Sequence, residues 1–214
     1  MKANVSLPSN YSRYTVIEPS KNPKFMFGAV IAGIALLLIT GWLLVMFVNA
    51  LRPTALNGMR LNDFFSSTAT GSSFVIPPFF FRNLSLALIA VLILHEFVHG
   101  LFYWLFSSQP PKFGFQGLLP YTAAPSGVYF PRNQFLIVGL SPLVLLTAVG
   151  LLLMMIVPIA FVPFLLFFVA LNASGATGDL ILVFQLLPFS TDTMMEDNDS
   201  GLIVYGPKEG RNAS

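Results

Sequence analysis

Residues 92–102 read "LILHEFVHGLF". Two histidines and a glutamate sit there, inside one of the most apolar stretches of the chain. Composition decides how to read it. Of 214 residues, 55% are hydrophobic and 9% charged, with a mean hydropathy of +0.76. These are the values of a membrane protein. An ionisable side chain at the centre of a membrane helix costs about 2.5–3.5 kcal/mol on insertion scales, so three of them together mark a functional site.

Working outward, a bilayer is crossed by ~20 predominantly apolar residues. Four stretches qualify: residues 25–50, 83–106, 133–157 and 163–187, with "PIAFVP" (158–163) as a tight turn between the last two. The first is too long, and its polar leader extends too far, for a cleaved signal, so it reads as a retained anchor. The predicted fold is an all-α membrane protein of four transmembrane helices, with a short hairpin-like loop between spans two and three. Ser141 and Pro142 fall early in the third span, where a proline costs least or makes a kink.

Between the spans lie a leader (1–24), a loop (51–82), the hairpin-like loop (107–132) and an acidic tail (188–214). The 107–132 loop is rich in Pro, Gly and aromatics, with strand-like patches at 112–115 and 128–130. In the tail, "GLIVYG" (201–206) predicts one short strand. Lys and Arg in the flanks favour both termini in the cytoplasm. Lys2, Arg13, Lys21, Lys24, Lys112 and Arg132 are on one side; Arg52, Arg60 and Arg82 are on the other. The setting expected is a prokaryotic plasma membrane.

The chain has no cysteine, which removes disulfides, thiolate metal sites and a Cys nucleophile. It has no basic run with interleaved aromatics, so no nucleic-acid partner is expected. Of its nine acids only Glu96 and Asp179 fall inside spans, and its two histidines are His95 and His99. Four apart on a helix, these histidines share one face and can offer two imidazoles to one ion. Glu96, about 100° round from His95, is placed as a general base. Catalytic zinc usually takes three protein ligands, and with no cysteine and no third histidine Asp179 is the natural third. Depth agrees. Counted from the cytoplasmic ends of their spans, the histidines lie about 10–17 Å deep and Asp179 about 12 Å deep. Asn172, close to two helical turns before Asp179, could donate to the oxyanion of a tetrahedral intermediate. Gly175 and Gly178 would let a partner helix approach closely.

An HExxH span, one intervening span, and then a span with Asn before a Gly-rich Asp resembles the core of the intramembrane site-2 protease clan. It is closer still to the small bacterial and archaeal family of "putative zincin peptidases". The resemblance covers about residues 83–187. It implies that His95, His99 and Asp179 bind zinc, that Glu96 is the general base, and that Asn172 helps bind substrate or oxyanion. It also implies that a strand-forming segment, here within 112–130, holds an unwound substrate. The chain departs from the clan's N-x-x-P-x-x-x-L-D-G. Gly175 replaces the proline, the spacing is one residue shorter, and Leu180 stands where a glycine would follow.

The function expected is therefore a zinc-dependent intramembrane metalloprotease acting on a membrane protein substrate through its transmembrane segment. A membrane metalloprotease with a soluble catalytic domain would need a larger soluble region than this chain offers. The competing class is a metal transporter or a catalytically inactive metal-binding scaffold, which has no need of Glu96. Oligomeric state is left open.

Overall fold

The computed structural model describes residues 3, 6–18, 23–59, 61–68, 71–117, 119–198 and 201–208. Lys2, Lys21, Arg60, the tail acids Asp199 and Glu209, and the tail's last residues, 209–214, lie outside these. In chain order the elements are β1 (Tyr11–Ile17), α1 (Pro23–Leu51), β2 (Phe65–Thr68), β3 (Gly71–Phe74), α2 (Pro78–Ser107), β4 (Lys112–Gln116), β5 (Leu119–Ala123), β6 (Phe130–Pro131), α3 (Arg132–Ile156), α4 (Val162–Gly175), α5 (Thr177–Leu186), β7 (Met194–Asn198) and β8 (Gly201–Pro207).

Four helical stretches are long and apolar enough to cross a membrane: Met26–Leu51, Pro78–Ser107, Arg132–Ile156 and Ile159–Leu186. α1 turns Val30, Ile34, Leu38 and Trp42 outward, all more than half exposed, as suits a helix whose outer face meets acyl chains. α4 is the central post, packed against α1, α2 and α3. Its Val169 lies over Gly150 of α3, where a Cβ would overlap the valine. Van der Waals fit of this kind, with small residues at the contact, is what holds membrane helices together. At the other end of the bundle Arg52 donates to the carbonyls of Met154 and Val157. It supplies a positive group to the C-terminal end of α3, where carbonyls lack helical partners.

The chain is not purely α-helical, which corrects the sequence expectation. β1, β8, β7 and β6 form one antiparallel sheet in that order, and β2–β3 and β4–β5 are separate hairpins. The leader and the tail, read as polar ends, meet each other: Tyr11 pairs with Pro207 and Ile17 with Leu202. Period-two pairing between segments some 190 residues apart leaves no local signature in a sequence. Within the 107–132 loop the arms of the hairpin are 112–116 and 119–123. The patch near Phe130 pairs instead with Met194 and Met195 of the tail. The sheet packs on the bundle through Phe130, Met195, Leu202 and Val204, buried with Phe135 and Leu186.

The last span is interrupted. α4 ends at Gly175 and α5 begins at Thr177, where the Thr177 hydroxyl donates to the Ser174 carbonyl, 2.6 Å away. A local bond of this kind competes with the helical ladder. Ser174 also donates to Gly33 of α1 at 2.9 Å, and a Cβ on Gly33 would sit 3.3 Å from the Thr177 hydroxyl. The glycine that permits close approach at this break is therefore Gly33. A Cβ on Gly175 or Gly178 would meet nothing within 4 Å, contrary to the role expected for them.

Candidate metal centre

His95 and His99 lie on the inward face of α2, 7% and 8% exposed, with Ala87 and Val91 above them on the same buried stripe. Asp179 stands in the first turn of α5, where the free N–H groups of a helix start favour a carboxylate. The break before α5 thus delivers Asp179 to the histidines. His95 Nε2 is 3.0 Å from Asp179 Oδ2, and His99 Nε2 is 3.4 Å from Oδ1. One donor atom from each of the three residues lies within 4.8 Å of the others.

The opposite edges of both rings are fixed. His95 Nδ1 is 3.1 Å from Asn172 Oδ1. The amide is oriented by its own Nδ2, which donates to the Pro142 carbonyl at 3.2 Å and to Thr147 Oγ1 at 3.4 Å. His99 Nδ1 is 3.0 Å from the Val138 carbonyl. That carbonyl is free for a definite reason. It is the i−4 partner of Pro142, which lies well inside α3 and has no N–H to return. Ser141 Oγ takes up the remaining lone pair at 2.8 Å. Pro142 therefore sits where a helical bond must be missing, and the orphaned acceptor is used to hold a histidine.

With acceptor oxygens facing both Nδ1 atoms, each ring donates a proton there and turns its Nε2 toward Asp179. Two ring nitrogens thus face the two oxygens of one carboxylate in a buried site, an arrangement that needs positive charge, carried either by protons on Nε2 or by a bound cation. A divalent cation held by the three residues would supply it. The donor set is a zinc set, two imidazoles and one carboxylate. Ligands about 2.0–2.1 Å from zinc in a tetrahedron are about 3.3–3.4 Å apart, close to the two histidine–Asp179 separations. Rings anchored through the far nitrogen are the usual outer layer of such sites.

Glu96 is partly exposed and lines a cleft of about 260 Å³ with His99, Asp179, Tyr103 and, from the tail, Asp197 and Leu202. Among the described residues the two ion pairs of the histidines are both with Asp179. Arg132 does not reach Asp179 either. It donates to the carbonyls of Leu187 and Phe189 beyond the end of α5. The β4–β5 hairpin folds back along α2, where Thr122 Oγ1 donates to the Glu96 carbonyl at 2.9 Å. The Phe113 ring occupies the space that a Cβ on Gly100 would need.

A family described as "Putative zincin peptidase" matches residues 88–194, half of the chain. The chain belongs to that family. In this zincin-family member the matched stretch carries His95, Glu96, His99, Asn172 and Asp179 together with Pro142, while α1, β1 and nearly all of β7–β8 lie outside it. No curated protein and no solved structure matches the chain.

Of the five residues singled out in the sequence, three converge as a possible ligand set and Glu96 opens on the cleft. Asn172 is fully buried and engaged behind His95. Pro142, Val138 and the tail residues of the cleft wall were missed. For Pro142 the signal was present, since a proline in the body of an apolar span always frees the carbonyl four residues earlier.

Proposed function

We propose that this chain is a zinc-dependent intramembrane endopeptidase that cleaves a membrane-spanning segment of another protein. The observation that carries the reading is the convergence of His95 Nε2, His99 Nε2 and Asp179, with both Nδ1 atoms tied back, inside the apolar helices and toward their C-terminal ends. Membership of the zincin peptidase family and the likeness of the motif order to the site-2 protease clan support it.

A divalent cation held by these three residues would polarise the scissile carbonyl and make a neighbouring water more acidic. Glu96 takes a proton from that water, whose oxygen forms the new bond to the carbonyl carbon. As the C–N bond breaks, Glu96 passes the proton to the leaving nitrogen, giving a carboxylate and an amine. Asn172 and the Val138 carbonyl keep the histidines from turning. β5 pairs with β4 on one edge and has no strand partner on the other among the described residues. That edge, beside Glu96, suits an unwound substrate strand bound by main-chain pairing. The basic residues Arg13, Lys112 and Arg132, on the face that carries the four-stranded sheet, support a cytoplasmic position for both termini in a prokaryotic plasma membrane.

The test is Glu96→Gln. A peptidase loses about 10²–10⁴-fold in cleavage of a transmembrane substrate with its bound metal intact. A transporter or inactive scaffold would behave as wild type, and that result would overturn the reading.

A further inference from the structure

The Asn172 amide, expected to donate to the developing oxyanion, is turned toward Pro142 and Thr147 in this structure. Tyr103 stands at the cleft instead. It follows His99 by four residues on the same face of α2, and side chains on a helix lean toward its N-terminus, so its ring reaches back over the turn that carries His99. Tyr103 is only 6% exposed. Its ring is clamped edge-on by Phe130 and Phe135, with centroids 5.3 and 6.2 Å away. A tyrosine this close to a helix end is often an interface anchor, but the outward residue here is its neighbour Trp104, 53% exposed. No hydrogen bond of the Tyr103 hydroxyl is found among the described residues, and the residue lines the cleft of Glu96, His99 and Asp179. A buried phenol normally finds a partner; this one belongs to the wall of the cleft that Glu96, Asp179 and Asp197 share.

We propose that the Tyr103 hydroxyl is a substrate-facing donor that stabilises the oxygen gaining negative charge as the scissile carbonyl becomes tetrahedral. The proposal rests on the endopeptidase reading above. Donors of this kind act on the transition state and little on the ground state. The aromatic clamp keeps the hydroxyl in place without any reorganisation during reaction.

The experiment uses the full chain in detergent, wild type against Tyr103→Phe, which removes one oxygen and keeps the packing. Three quantities are read: bound zinc, the thermal midpoint, and the affinities for a phosphinic peptide and for the parent peptide of the same apolar sequence. Zinc, midpoint and parent-peptide affinity are expected to stay at wild-type values, while phosphinic-peptide affinity falls about 100-fold. Unchanged phosphinic affinity overturns the role of Tyr103 and leaves the endopeptidase reading intact. Loss of zinc or a lower midpoint overturns it in favour of a packing role. A wild-type chain that does not prefer the phosphinic peptide overturns the endopeptidase reading and this proposal with it.

Discussion

At Pro142 a missing helical bond becomes a functional acceptor, and the consequence can be measured. Pro142→Ala restores an N–H that competes with His99 for the Val138 carbonyl. Helix α3 should gain stability, since an interior proline costs roughly 3 kcal/mol relative to alanine. Zinc affinity should fall by about tenfold, the low end for a broken outer-layer contact. Calorimetric titration of zinc alongside thermal unfolding reads both, and a variant that gains stability with unchanged zinc affinity would contradict the assignment. His95, His99, Glu96 and Asp179 were legible in the sequence because charge in an apolar span is costly and therefore scarce. Asn172 was legible as a polar residue near the site but not in its role. Which atom its amide faces depends on the Pro142 carbonyl and Thr147 of another helix, and no spacing rule reaches across helices.

Among the elements, the β4–β5 hairpin packs along α2, and its contacts include the Thr122 hydroxyl on the Glu96 carbonyl and Phe113 over Gly100. Thr122→Val keeps the shape and removes the hydrogen bond, worth about 0.5–1.5 kcal/mol. If β5 holds substrate, KM for a membrane substrate should rise by about two- to tenfold with zinc content unchanged, because that energy is a factor of this size. Equal KM for variant and wild type would exclude the hairpin from substrate binding. The helices were readable from apolar length alone, with boundaries near 25–50, 83–106, 133–157 and 163–187. The break at Ala176 was not, since it arises from the Thr177 and Ser174 hydroxyls and the contact with Gly33. The sheet was legible only as isolated fragments, the hairpin loop and a strand at 201–206. Its remaining partners come from opposite ends of the chain.

For the whole molecule, if the four apolar helices cross a membrane, the pairing of β1 with β8 puts both ends on one side of it and the loop between α1 and α2 on the other. The absence of native cysteine gives labelling a clean background. Single variants Tyr14→Cys and Lys208→Cys, at exposed positions, should react with an impermeant maleimide from the same side of sealed vesicles. Asn57→Cys, also exposed, should react from the opposite side. Labelling of Tyr14→Cys and Lys208→Cys from different sides would contradict the fold. The layout sets the site between an apolar bundle and a four-stranded sheet whose Asp197 and Leu202 form part of the cleft wall. Three converging side chains carry the site, and elemental analysis of bound metal tests them most directly. Detergent-purified wild type, His95→Ala and Asp179→Ala are compared, each checked for folding by circular dichroism. One zinc per wild-type chain, lost in both variants, is the expected result; a folded wild type without metal, or variants that keep it, would contradict the account.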